Sequence, residues 1–251
     1  TRRSSDLPQD SIPFVPTQVE VQIVTLEPKI PLEEVERVKK TLRDYTDGIN
    51  SGKMSFATYA RFYSEDPGTA RRGGELGFMG KGELVPEYAN VAFNLQDPNK
   101  VSKIVETEFG FHIIQLIEKR GDRINTRHIL LKPKVEEKDL EAALVRLDSI
   151  ADDIRNQKFT FDDAATYISQ DKDTKNNHGL MANKNTGTAR FEMQDLAQVS
   201  QEVAKMVENM NVGEISRAFT MINDKGKEVC AIVKLKSRIN GHKATISRSE
   251  E

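Results

Sequence analysis

Tyr63-Ser64-Glu65-Asp66-Pro67-Gly68-Thr69, with Gly73-Gly74 just beyond, returns about 105 residues later as Ile168-Ser169-Gln170-Asp171-Lys172-Asp173-Thr174 with His178-Gly179. Each stretch follows a related one, Phe56-Ala57-Thr58-Tyr59-Ala60 and Phe161-Asp162-Asp163-Ala164-Ala165. Phe, Ala, Ser, Asp, Thr and Gly recur in the same order and spacing, which marks a duplicated unit. A chain of 251 residues has room for two units of roughly 100–120 residues each.

Working outward, each copy opens with a strand. Val19, Val21 and Ile23 alternate with Glu20 and Gln22, the period of a half-buried strand. Asn125-Thr126-Arg127-His128-Ile129-Leu130-Leu131 takes that place in the second copy, and Pro133 stops it. A helix follows in both. The first runs from Pro31 to Ile49 and ends at Gly52; the second runs from Glu137 to Asn156. In the second, Leu140, Ala143, Leu144, Leu147, Ile150 and Ile154 form one apolar stripe. A short helix spans Phe56 to Phe62, and Asp66-Pro67-Gly68 turns out of it. The closing strands are Phe111-His112-Ile113-Ile114-Gln115-Leu116 and Glu228 to Leu235. Glu118-Lys119-Arg120-Gly121-Asp122 reads as a polar linker, which sets the boundary near residue 121. Arg120-Gly121-Asp122 reads as a plain polar turn rather than an adhesion tripeptide. The expected order is an N-terminal connector 1–16, domains 17–120 and 121–239, and a frayed tail 240–251.

Composition narrows the function classes. Lys+Arg number 37 against 39 Asp+Glu, for a net charge of −2, without the basic excess of a nucleic-acid binder. Hydrophobic residues make up 37% and charged residues 30%, and no run approaches the roughly 18 apolar residues of a membrane span. No membrane insertion is expected. Cys230 stands alone between Val229 and Ala231-Ile232-Val233, so it reads as a buried structural thiol. His112, His128, His178 and His242 include no pair at helical zinc spacing, so neither a metal nor a cofactor is expected. Thr1-Arg2-Arg3-Ser4-Ser5 has no apolar segment behind it and the chain opens without Met; it reads as a processed or excised piece.

The run from Tyr63 to Met79, with Gly73-Gly74-Glu75-Leu76-Gly77 inside it, and the later Phe109-Gly110-Phe111-His112-Ile113-Ile114 resemble the parvulin family of peptidyl-prolyl cis-trans isomerases. His128-Ile129-Leu130-Leu131 resembles the opening strand of the same family. The resemblance spans residues 17–239. It implies an α+β fold of two consecutive parvulin-like (FKBP-like) domains, each a four-stranded antiparallel sheet wrapped by helices. It also implies a site with one histidine on the first strand, another on the last, and an acid after the short helix. In the first copy this gives Asp66, His112 and Thr107 as the polar set, and Leu76, Met79, Leu84 and Tyr88 as an apolar cradle for proline. Gln22 stands where the first-strand histidine is expected. In the second copy His128, Asp171 and Leu180 match, the glycine loop is reduced to His178-Gly179-Leu180-Met181, and Ala231 replaces the last-strand histidine. Each copy lacks one histidine. The tandem arrangement is similar to that of exported folding chaperones. This implies a periplasmic setting and unfolded or extended polypeptide clients, outer-membrane or secreted, with no nucleic-acid partner.

Peptide-bond rotation faces a barrier of about 18–20 kcal/mol because resonance must be broken. X–Pro isomers are close in energy yet exchange slowly. A catalyst needs an apolar cup for the ring and polar groups that favour the twisted amide. Read singly, the residues leave alternatives open. Gly73-Gly74 also fits a bare turn, and Asp66 fits the seed of one. His112 and His128 also fit hydrogen-bonded core histidines, and Leu76, Met79 and Leu84 fit ordinary core. His178 and His242 fit solvated loops. Gln22 can hydrogen-bond to His112 but cannot share a proton as imidazole does. Three functions follow: an isomerase working mainly through the first copy, a non-catalytic chaperone, or a scaffold in which the second copy spaces the first.

Overall fold

The computed structural model describes residues 13–243. The expected connector up to Ile12 and the tail beyond Lys243 lie outside the described residues. The chain enters through β1 (Phe14–Val15) and β2 (Gln18–Leu26). It continues with α1 (Leu32–Asn50), α2 (Phe56–Tyr63), β3 (Glu75–Gly80), α3 (Pro86–Ala92), β4 (Val105–Thr107), β5 (Gly110–Arg120) and β6 (Arg123–Leu131). Then come α4 (Glu137–Arg155), α5 (Phe161–Tyr167), α6 (Lys172–Lys175), β7 (Phe191–Glu192), α7 (Met193–Val199), α8 (Gln201–Glu208), β8 (Phe219–Ile222), β9 (Glu228–Ile239) and β10 (His242–Lys243). Two compact units result. The middle unit is Lys29–Glu136 with Lys225–Lys227; the split unit is formed by the described residues up to Pro28, Glu137–Asp224, and the described residues from Glu228.

Each unit holds a four-stranded antiparallel sheet with helices against it, the α+β class expected. The strand order is β3-β6-β5-β4 in the middle unit and β7-β2-β9-β8 in the split unit, where β1 also pairs with β10. Phe14 and Val15, read as connector, and His242 and Lys243, read as frayed tail, therefore pair with each other. The larger correction concerns the opening strands. The repeats follow the sequence as read, but they exchange these strands: β2, from the first repeat, lies against β9, and β6, from the second, lies against β5.

The local cause is a turn. Arg120 pairs with Arg123 across Gly121-Asp122, and Gly121 has φ +57°. A two-residue loop that begins with a left-handed residue matches the twist of a hairpin. The segment read as a linker is therefore a hairpin turn. It lays β6 antiparallel on β5 from Phe111↔Leu131 to Arg120↔Arg123.

Alternation along β5 sorts its residues onto two faces. Phe111 and Ile113 join Ile129 under α1 and α2, where Val38, Leu42, Phe56, Tyr59 and Ala60 complete one core. Ile114 and Leu116 face the other way, with Ile124, Tyr88, Ala92 and Val105. His112 and His128 lie on this second face, since His112 is next to Ile113 and His128 pairs with Ile114. α1 follows Pro31, its N-cap, and carries Glu33 and Glu34 in its first turn, where acidic groups suit the helix dipole.

Candidate active site

The segment after α2 is fastened to β6 by one backbone bond and one bond to a side chain. The Glu65 N–H donates to the Leu130 carbonyl at 2.8 Å, and the Leu130 N–H donates to Ser64 Oγ at 3.1 Å. Asp66 then turns the chain, its Oδ1 accepting the Gly68 N–H at 3.1 Å. Its Oδ2 meets His128 Nε2 at 2.7 Å and accepts the Thr69 hydroxyl. The glycine pair permits this closeness. Gly74 has φ +83°, accepts the His128 N–H at 2.9 Å, and would place a Cβ 2.2 Å from the His128 carbonyl oxygen. Gly73-Gly74 is thus a turn and also the contact that fastens the loop to the histidine strand.

From Asp66 a line of hydrogen bonds runs through both histidines. His128 Nδ1 lies 3.0 Å from His112 Nδ1, and His112 Nε2 lies 2.7 Å from Thr107 Oγ1, which accepts the Phe109 N–H at 3.1 Å. With both rings neutral, one assignment satisfies every atom. An ionised Asp66 only accepts, so His128 Nε2 carries the hydrogen and His128 Nδ1 is bare. His112 Nδ1 therefore donates to it, and Thr107 donates to His112 Nε2. Adding a proton to the pair forces this sequence to reverse at Thr107.

The electrostatics fit an ionised Asp66 and a neutral His112. The hydrogen bond from His128 holds the Asp66 carboxyl far below the usual carboxylate range, with help from Thr69 and Gly68 and against some burial. Burial lowers His112 to about 3, assisted by neighbouring His128 and opposed by Asp66. The histidine side chains are almost closed off, whereas the Asp66 side chain is 25% exposed. The carboxylate is the part of the line that reaches the surface.

Asp66, His112 and Thr107 are therefore brought together as expected, and Tyr88 stands beside them. Gln22 is a correction. It is buried on β2 of the split unit, where its Nε2 donates to Asp162 Oδ1 at 2.7 Å and to the His178 carbonyl at 2.8 Å. His128 is the second correction, since it completes the site of the middle unit instead of marking a second one. Its counterpart is Ile23, one residue beyond Gln22: the Ile23 N–H donates to the Gly179 carbonyl at 2.8 Å, as that of His128 does to Gly74. Around Ile23 the equivalent positions are apolar, with Ala231 for His112 and Met221 for Thr107, all in one core cluster. Asp171 keeps the local turn, accepting the Asp173 N–H at 3.2 Å and the Thr174 hydroxyl at 2.6 Å, but has no histidine partner. Leu180 forms an isolated bridge with Gln22. An unpartnered imidazole buried in that apolar core would be costly, which favours the exchanged pairing.

Leu76 and Leu84 are half-buried against the Tyr88 core, and Met79 is half-buried opposite Ile124 on the same face. Gly77, at φ +87°, lies opposite Thr126, with open space where a side chain would be. Tyr88 is only 3% exposed, so it belongs to the core beneath Leu76 and Leu84. Thr69 and Thr126 escaped the sequence reading. Thr69 was signalled by its recurrence as Thr174, and Thr126 by standing two residues before His128. A separate cleft of about 390 Å³ between α1 and the end of β6, lined by Tyr45, Phe62 and Tyr63, contains none of these groups.

A family model, the PPIC-type PPIase domain or rotamase, matches residues 23–118 and 128–237. The two matches begin at Ile23 and His128, the residues that the backbone bonds make equivalent. Chaperone SurA of Aliivibrio fischeri is 32% identical over 194 residues, 75% of this chain and 41% of that protein. Chaperone SurA of Shewanella denitrificans is 40% identical over 103 residues, 41% of this chain and 23% of that protein. Foldase protein PrsA 4 of Bacillus cereus is 36% identical over 113 residues, 45% of this chain and 36% of that protein. The chain spans less than half the length of these relatives. With two successive matches to the rotamase model together covering most of its length, the chain belongs to the family of PPIC-type peptidyl-prolyl isomerase domains.

Proposed function

We propose that the middle unit is a peptidyl-prolyl cis-trans isomerase acting on X–Pro bonds of unfolded, exported polypeptides in the periplasm, and that the split unit does not turn over. The observation that carries this reading is the closed line of hydrogen bonds that ends on a partly exposed, firmly ionised Asp66. In a planar amide, resonance places negative charge on oxygen and positive charge on nitrogen. A fixed carboxylate beside the substrate carbonyl raises the energy of that polarised form and has less effect on the twisted one. Leu76, Met79 and Leu84 receive the pyrrolidine ring and exclude water, which strengthens the electrostatic effect. His128 and His112 hold the carboxylate in place, and Thr107 fixes the direction of their hydrogen bonds. No bond is made or broken.

Polypeptide clients fit this reading because the matched relatives are named chaperones and a foldase; that the clients are outer-membrane or secreted proteins is part of the proposal. The split unit, with its apolar replacement of the pair, fits peptide holding or spacing. The test is X–Pro exchange in a short peptide, measured on the whole chain. Asp66→Ala is expected to lower kcat/KM about 100-fold, the scale of losing one preorganised electrostatic group, while Asp171→Ala stays near wild type. Equal rates for wild type and Asp66→Ala would remove the catalytic reading.

A further inference from the structure

Thr126 and Tyr88 form a buried couple that the line of hydrogen bonds leaves unused. Thr126 precedes His128 by two residues on β6, so both side chains lie on one face of the sheet. Thr126 is 2% exposed, and its Oγ1 lies 2.9 Å from the Tyr88 hydroxyl. The Tyr88 ring stands nearly perpendicular to both imidazoles, 5.7 Å from His112 at 82° and 5.8 Å from His128 at 81°. The imidazole planes lie within 18° of each other. Tyr88 is therefore equidistant from the two rings that share the Nδ1–Nδ1 bond.

That placement answers a mechanical need. Each imidazole is held at Cγ and at its two hydrogen-bonded nitrogens, which still allows its plane to rock through small angles. Hydrogen bonds weaken steeply with angle, so rocking of either ring weakens the shared bond. A perpendicular ring packed against both imidazoles blocks this motion. The duplicate offers an internal comparison. Where the pair is replaced by Ile23 and Ala231, the position two residues before Ile23 is Val21, which has no hydroxyl.

We infer that Thr126 is a positioning residue: through the Tyr88 hydroxyl it holds the ring that keeps the two imidazoles aligned, and with them the Asp66 carboxylate. The inference rests on the isomerase reading. Thr126→Val strands the Tyr88 hydroxyl and Tyr88→Phe strands that of Thr126, so each single variant loses thermal stability. The double variant strands neither and recovers most of it. A merely structural couple would recover turnover as well. The inference predicts that kcat of the whole chain stays about three- to tenfold below wild type in the double variant with KM unchanged, and that Thr126→Ser retains wild-type kcat. Proton–nitrogen spectra of the imidazoles follow the same geometry without turnover, and the resonance of the shared Nδ1 hydrogen is expected to broaden or vanish in the double variant. Recovery of both kcat and this resonance overturns the inference. A wild-type chain without turnover, but with the resonance lost as predicted, counts against the isomerase reading and leaves the positioning intact.

Discussion

His112 stays neutral at pH values where water would protonate it. Burial is the main reason His112 resists a proton down to about 3, while an exposed imidazole takes one near 6.5. Between those values the unfolded chain binds more protons than the folded one, so stability falls as pH drops through this window. The slope is at most about 1.4 kcal/mol per pH unit for this one group. Asp66 acts in the same direction lower down: its contribution is complete above the ordinary carboxylate value of about 3.9 and is lost as pH falls further. His112→Ala is expected to be less stable than wild type at neutral pH, because it leaves the Thr107 hydroxyl hydrogen and His128 Nδ1 unpaired. Its stability should nevertheless change less between pH 6.5 and 3, as read by urea unfolding at stepped pH. A slope equal to that of wild type would show that His112 does not stay neutral in the fold.

At the scale of elements, the hairpin of β5 and β6 decides which histidines meet. The helices, the alternating strands and the turn after α2 were legible in the sequence because each follows from local periodicity or turn chemistry. The pairing of the opening strands was not. Repeat logic assigns each copy its own strand, and Gln22 then falls beside His112. The contrary signal was Gly121-Asp122, two turn residues between two β-rich runs, which is how a short hairpin is written. Ile23, one residue beyond Gln22, is the counterpart of His128, because the backbone bonds to Gly179 and Gly74 fix the register. Paired cysteines test the exchange in a Cys230→Ala background. Gln115 and Arg127 are cross-strand partners, so Gln115→Cys with Arg127→Cys should close a disulfide within one chain. Gln115→Cys with Gln22→Cys, the pair that unexchanged strands would bring together, should stay reduced. Closure of the second pair instead would mean that β2 occupies the place beside β5.

At the scale of the whole molecule, duplication has left one polar site and one apolar counterpart. The middle unit gathers Asp66, Thr69, Thr107, His112, Thr126 and His128, while the split unit fills the same positions around Asp171 and Thr174 with Ile23, Ala231, Met221 and Val21. Of the candidate site, Asp66, His112 and Thr107, which the line of hydrogen bonds joins, were readable from one repeat. The missing histidine was present in the sequence but assigned to the wrong unit. The central claim is that His112 and His128, from different repeats, work as one group, and a double-mutant cycle on X–Pro exchange by the whole chain tests it most directly. His112→Ala and His128→Ala are each expected to lower kcat/KM about 100-fold, and the double variant no further, because the first loss already breaks the line to Asp66. Losses that multiply toward about 10,000-fold, or a His128→Ala chain at the wild-type rate, would show that the two histidines do not share a site.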